Sequence, residues 1–163
     1  MTGVYVAAGS NVDALRNIRL ALVELRRTFP GLRVSRVYQN AAVGFAGDDF
    51  INLVVGFETD LSLLDLVSEL RRIEALCGRA RDAPKWAPRS MDLDILLYGD
   101  LVAVTPEATL PRPDLLRRPY MLGPLADIAA SVQHPLVGRS IGDLWKDFDR
   151  DAHAMTGIDL DAD

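Results

Sequence analysis

Leu32-Arg33-Val34-Ser35-Arg36-Val37-Tyr38-Gln39, followed after Asn40–Asp49 by Phe50-Ile51-Asn52-Leu53-Val54-Val55-Gly56-Phe57, decides the fold. Apolar and polar residues interleave in the first segment, which predicts a strand over 32–39. The second is strongly apolar and short, the pattern of a largely buried strand. The connection carries Gly44 and Gly47 and no helical periodicity, so the two strands follow each other directly and pair antiparallel. Upstream, Val4 to Ala8 reads as a buried strand ending in the turn and capping cluster Gly9-Ser10-Asn11. Leu15, Ile18, Ala21, Leu22 and Leu25 then recur at helical spacing, which predicts a helix over about 12–28 that Pro30-Gly31 stops. Downstream, Thr59 or Asp60 is expected to cap a helix whose apolar face is Leu63, Leu66, Val67, Leu70 and Ile73, with Gly78 closing it. A fourth strand is expected from Met91 to Tyr98.

The order strand-helix-strand-strand-helix-strand predicts a ferredoxin-like α+β unit: an antiparallel sheet with both helices on one face. A short strand or loop follows Gly99, then helical stretches near 121–130 and 140–148 as C-terminal additions. Residues 149–163 carry five Asp and one Arg and are expected to be disordered. The expected organisation is a single domain over 1–148 and an acidic tail over 149–163.

Composition narrows the function classes. The chain has 163 residues, 49% hydrophobic and 25% charged, with a net charge of −5. The tail accounts for −4 of that (five Asp, one Arg), so residues 1–148 stand at −5 − (−4) = −1 and offer no broad basic surface for nucleic acid. No apolar run reaches the ~20 residues a membrane span needs. The first residues show no leader-peptide pattern. Cys77, the single cysteine, has no partner for a disulfide, so a reducing cytoplasm is the expected compartment. A monomer acting on small molecules is the expected state. Of 18 cationic residues 16 are Arg, whose planar fork suits phosphate and carboxylate.

Asp92 and Asp94 are two apart on the fourth strand, so they project from the same face, while Met91, Leu93 and Ile95 face the core. Two adjacent carboxylates flanked by Ile95-Leu96-Leu97 repel each other and need compensation. A divalent cation shared with substrate phosphates provides it; so would a nearby Arg or a solvated edge. Just upstream, Arg79, Arg81, Lys85 and Arg89 alternate with Pro84, Trp86 and Pro88 in a loop long enough to close over a substrate. Cations around a charged transition state, with metal ions bridging oxygens, are what phosphoryl transfer requires. His134, before Pro135, reads as a surface turn residue.

Lys85-Trp86-Ala87-Pro88-Arg89-Ser90-Met91-Asp92-Leu93-Asp94-Ile95-Leu96-Leu97-Tyr98-Gly99 closely resembles the signature of the 6-hydroxymethyl-7,8-dihydropterin pyrophosphokinase family. Gly9-Ser10-Asn11, Ser35, Tyr38, Phe50-Ile51-Asn52, Ile73-Glu74, Gly78-Arg79-Ala80-Arg81, Leu110-Pro111, Arg118 and Tyr120-Met121-Leu122-Gly123-Pro124-Leu125 extend the likeness over about residues 3–148. The resemblance implies transfer of pyrophosphate from ATP to the hydroxymethyl oxygen of the pterin, with AMP leaving. It implies that Asp92 and Asp94 hold two Mg²⁺ ions and that Arg79 and Arg89 are catalytic-loop arginines. Glu74, Arg81, Trp86, Ile95, Arg112 and Arg118 match positions around ATP. Asn40, Val43, Phe50, Asn52 and Tyr120 match the pterin pocket, with two aromatic faces to stack and an amide to pair with the heterocycle edge.

Three departures stand out. Asn40-Ala41-Ala42-Val43-Gly44 replaces the family's usual Thr-x-Pro-x-Gly, Arg112 stands where the family commonly has His, and Ala87 replaces a loop glycine. A pyrophosphokinase for a related pterin outside folate synthesis, and a non-catalytic pterin- or nucleotide-binding relative, are the alternative readings.

Overall fold

The computed structural model describes residues 1–40, 49–78, 91–149 and 155–160. Its centre is one antiparallel sheet. β1 (Thr2–Ser10) runs between β4 (Phe50–Thr59) and β5 (Asp92–Tyr98), and β3 (Val37–Asn40) pairs the other side of β4. The order β5-β1-β4-β3 places the two strands that follow each other, β3 and β4, side by side.

Both faces of the sheet are covered. Val4, Val6 and Ala8 of β1, Leu53, Val55 and Phe57 of β4, and Leu93 and Ile95 of β5 pack beneath α1 (Ala14–Thr28) and α2 (Leu63–Leu76). These helices contribute Ile18, Ala21, Leu22 and Leu25, and Leu66, Leu70 and Ile73. Tyr5, Ala7, Val54, Leu96 and Leu97 face the opposite way, onto α3 (Pro119–Ala129) and α4 (Ile141–Lys146). That double burial explains why the β1 and β4 sequences are apolar without alternation. Leu96 and Leu97 lie in the same core despite being neighbours because the β1–β5 register shifts between Tyr5 and Val6.

The expected elements are present with shifted edges. The strand foreseen at 32–39 is two pieces, β2 (Arg33–Val34) and β3. At the break the Ser35 side chain enters the ladder: the Ser35 amide donates to the Val54 carbonyl at 2.9 Å and the Val54 amide donates to Ser35 Oγ at 2.9 Å. α1 begins later than foreseen, after Asp13 in the left-handed region (φ 44°). Ser62, not Thr59 or Asp60, caps α2 by accepting from the Asp65 amide at 3.2 Å. Asp92 opens β5. Short strands β6 (Ala103–Val104) and β7 (Thr109–Leu110) and a 3₁₀ turn (Pro113–Leu116) lead into α3.

The acidic stretch expected to be disordered requires a correction. Thr156–Ile158 forms β8, which pairs with Val37–Gln39 at the sheet's open edge. Ile158 and Leu160 pack against the α1-side core, and Arg19 Nη2 donates to the Leu160 carbonyl. An unpaired edge offers backbone partners to any segment that reaches it, and two apolar side chains suffice to seat this one despite its charge.

Phe57 is 2% exposed and stacks on Phe29, ring centroids 3.9 Å apart, joining β4 to the end of α1. Phe57→Ala should lower stability by about 3–5 kcal/mol. Urea denaturation followed by circular dichroism checks this; a loss below about 1 kcal/mol would show that the ring is not packed as described.

Candidate active site

The end of the sheet where β1 finishes and β4 and β5 begin collects the polar side chains. Strand register puts Asp92, Gly9, Asn52 and Tyr38 in one row across four strands, and Asp94, Ala7 and Val54 in the next. Residues in register share a face, so the two aspartates and Asn52 project toward the α3 side. Met91, Leu93 and Ile95 are 0%, 6% and 6% exposed in the opposite core, as the two-residue spacing requires.

Gly9 keeps this row open. A Cβ there would lie 2.6 Å from Asn52 Oδ1, so the amide occupies the space above the glycine. Asn52 is buried, and its Nδ2 donates to Asn40 Oδ1 of β3; Asn40 is in register with Phe50, which is half-buried. Asn40, Phe50 and Asn52 therefore share one corner of the face. Tyr38 ties this corner to α3, donating to Asp127 Oδ2 at 2.8 Å. Burial, with the Asp127 bond behind it, pushes the Tyr38 hydroxyl up to about 12, so it stays a donor across the physiological range.

On the β5 side, Arg112 Nη1 stands 3.6 Å from Asp94 Oδ1 and Nη2 stands 3.9 Å from Asp114 Oδ2. The compensation expected of a carboxylate pair thus includes an arginine. Arg112 Nε is buried and makes no hydrogen bond among the described residues. Arg118 sits at the N-terminal end of α3, one turn from Asp114. Tyr120 follows on the same helix. Burial raises its hydroxyl pKa, with opposing smaller effects from Arg118, which lowers it, and Asp114, which raises it.

Glu74 and Ile95 differ in placement from the rest. Ile95 points its side chain into the α1/α2 core. Glu74, in the last turn of α2, accepts a hydrogen bond at Oε2 from the Leu93 amide at 2.8 Å. Val43, Arg79, Arg81, Trp86 and Arg89 lie outside the described residues. Asp127 was not legible beforehand, because it acts through Tyr38, 89 positions away; Asp114 lies two residues from Arg112, and no motif singled it out. His134, read as a surface residue, is 2% exposed. Its Nδ1 accepts from the amides of Leu136 and Val137, both at 3.2 Å, and burial lowers its pKa, so it is a neutral structural group.

Among the described residues no three His, Cys, Asp or Glu side chains gather into a metal-binding cluster. Two carboxylates on a strand, with Asp94 one-third exposed, still fit Mg²⁺, which keeps several waters and takes its remaining oxygens from phosphates. No helix among the described residues is long and apolar enough to cross a membrane.

Two carboxylates, the Arg112 guanidinium beside one of them and an aromatic-amide corner within one face are suited to a polyanion and a flat heterocycle together. That is the substrate pairing of a nucleotide-dependent transferase. The chain belongs to the 7,8-dihydro-6-hydroxymethylpterin-pyrophosphokinase family, whose model matches residues 5–130. It is 38% identical over 136 residues to the 2-amino-4-hydroxy-6-hydroxymethyldihydropteridine pyrophosphokinase of Pseudomonas aeruginosa, covering 81% of this chain and 83% of the relative. It is 36% identical over 138 residues to the enzyme of the same name from Aquifex aeolicus, covering 83% and 86%. Among solved structures, the Plasmodium falciparum HPPK-DHPS crystallised with SDX-DHP superposes with a TM-score of 0.70 at 13% identity, a likeness of fold. The match takes in 90% of this chain and 43% of that one.

Proposed function

We propose that this protein transfers pyrophosphate from ATP to the hydroxymethyl group of 6-hydroxymethyl-7,8-dihydropterin, a step of folate biosynthesis, and releases AMP. The observation that carries the reading is the Asp92/Asp94 pair on one face of β5, with Asp92 in register with Asn52 across Gly9. It brings two carboxylates and a hydrogen-bonding amide onto one face within two strand spacings, about 10 Å, which supports a metal-binding role for the pair. Family membership and relatives that bear this activity's name support it.

In this reading the pterin lies against Asn40, Phe50, Asn52 and Tyr120, with Val43 beside it. Asn52 presents an amide to the heterocycle edge, and the two aromatic rings supply stacking faces. The hydroxymethyl oxygen forms a bond to the β-phosphorus while the bond from that phosphorus to the α,β-bridging oxygen breaks. AMP departs with that oxygen, and the hydroxyl proton is lost. Asp92 and Asp94 would hold two Mg²⁺ ions, which when bound supply positive charge to the triphosphate oxygens and acidify the attacking hydroxyl. Arg112 and Arg118 add fixed cations beside the pair. Arg79 and Arg89 hold and neutralise the triphosphate and Arg81 and Trp86 complete the nucleotide's surroundings; the Ile95 side chain belongs to the α1/α2 core and Glu74 holds the Leu93 amide, so neither side chain is assigned to the nucleotide. No covalent enzyme intermediate is required. The sheet order and the two helices on one face support a ferredoxin-like core, and we read the chain as a cytoplasmic monomer whose partners are small molecules.

Incubation with ATP, Mg²⁺ and the hydroxymethyl dihydropterin, followed by chromatography, tests this. AMP and a pterin diphosphate should appear in equal amounts and only with all three present; ADP in place of AMP would refute it. Asn52→Ala should raise the pterin KM about tenfold or more and leave the ATP KM unchanged, since a pterin donor or acceptor then loses its partner. An unchanged pterin KM in steady-state kinetics would remove Asn52 from the pocket.

A further inference from the structure

We propose that Glu74 is a positioning residue: by accepting the Leu93 amide hydrogen bond it fixes the strand segment from which Asp92 and Asp94 project. The inference rests on the reading of those aspartates as the metal-binding pair. Among the described residues β5 is the terminal strand of its sheet, paired with β1 on one side, with Leu93 in register with Ala8. Such an edge leaves backbone groups to be satisfied from outside the sheet. Glu74 Oε2 meets the Leu93 amide at 2.8 Å, and the Arg112 amide donates to the Leu96 carbonyl at 3.0 Å. The edge is therefore pinned at two points, one on either side of Asp94.

The amide that Glu74 holds belongs to the peptide plane between Asp92 and Leu93, and the Leu93 side chain is anchored in the core. With plane and side chain both fixed, the directions in which the two flanking aspartates leave the backbone are fixed as well. Glu74 can do this because the preceding residue, Ile73, is fully buried and holds the last turn of α2 against the sheet. A carboxylate is the stronger acceptor for an amide, and a small hard cation tolerates little error in its oxygen ligands. In this account Glu74 acts on the metal through the backbone.

The test compares Glu74→Ala and Glu74→Gln with the wild type. It uses amide hydrogen exchange at Leu93, Mn²⁺ affinity in the presence of a non-hydrolysable ATP analogue, and steady-state kinetics. In Glu74→Ala the Leu93 amide should exchange at least about tenfold faster, with Mn²⁺ affinity and kcat each falling about tenfold or more and the pterin KM within about twofold of wild type. Glu74→Gln, which keeps an acceptor oxygen, should restore most of each loss. Should Glu74→Ala fail to fold, Glu74→Asp, one methylene too short to reach, takes its place with the same expectations. Unchanged Leu93 exchange or unchanged Mn²⁺ affinity would overturn the proposal. So would a metal-free loss of nucleotide affinity as large as the loss in kcat, which would make Glu74 a nucleotide contact. Wild-type Mn²⁺ affinity in Asp92→Asn and Asp94→Asn would overturn the metal reading and the metal consequence drawn from it, while Leu93 exchange still reports on the hydrogen bond.

Discussion

Asp92→Ala and Asp94→Ala should each lower kcat by about a thousandfold or more, the effect of removing about 4 kcal/mol of transition-state stabilisation. Both aspartates are partly exposed at the mouth of the sheet, and neither contributes to either core, so the variants should fold as the wild type does. Losing the Asp94 carboxylate leaves Arg112 with Asp114, 3.9 Å away, and about one-third of its side chain in solvent, so no buried charge is stranded. Circular dichroism and the melting temperature establish that the fold persists, and turnover in the presence of saturating Mg²⁺ gives the kinetic loss. A properly folded variant with near-wild-type kcat would show that the pair is a structural feature of an edge strand.

The second large effect is expected at the loop arginines. Arg79→Ala and Arg89→Ala should each lower kcat about a hundred- to a thousandfold while changing the ATP Kd by less than about tenfold. In the proposed reaction these cations act on charge that develops in the transition state, so their loss is expected in kcat more than in binding. Nucleotide affinity measured by equilibrium titration, beside single-turnover rates, separates the two. Equal losses in affinity and rate would make these arginines ground-state binding groups only.

Much of this architecture was legible in the chain. β1 and β4 were readable as buried strands because each is a short apolar run, and α2 because Leu66, Val67, Leu70 and Ile73 step along one stripe; that helices cover both faces of the sheet emerged only from the assembled fold. The aspartate pair was readable because a period of two is enforced by strand geometry alone. What escaped depends on contacts between distant residues. Ser35 breaks its strand because its hydroxyl accepts the Val54 amide, nineteen residues away. β8 exists because β3 offers an unpaired edge, a property of the assembled sheet and not of Thr156–Ile158. His134 is buried by what packs around its turn. In the site, the Arg112–Asp94 approach and the Tyr38–Asp127 bond join residues 18 and 89 positions apart, and no local spacing announces either.

The departure at Arg112 has a consequence for catalysis. A permanent cation 3.6 Å from Asp94 partly neutralises that carboxylate before any nucleotide arrives. Its attraction at such range is moderated by the solvent around both groups, so it offsets only part of the aspartates' mutual repulsion.

The most direct test of the central claim is the stoichiometry of metal at the aspartate pair. Electron paramagnetic resonance of the protein with Mn²⁺, a non-hydrolysable ATP analogue and the hydroxymethyl dihydropterin should show two bound ions per chain, lost in the Asp92→Asn/Asp94→Asn double variant. Two ions bound as tightly to the double variant as to the wild type would contradict it.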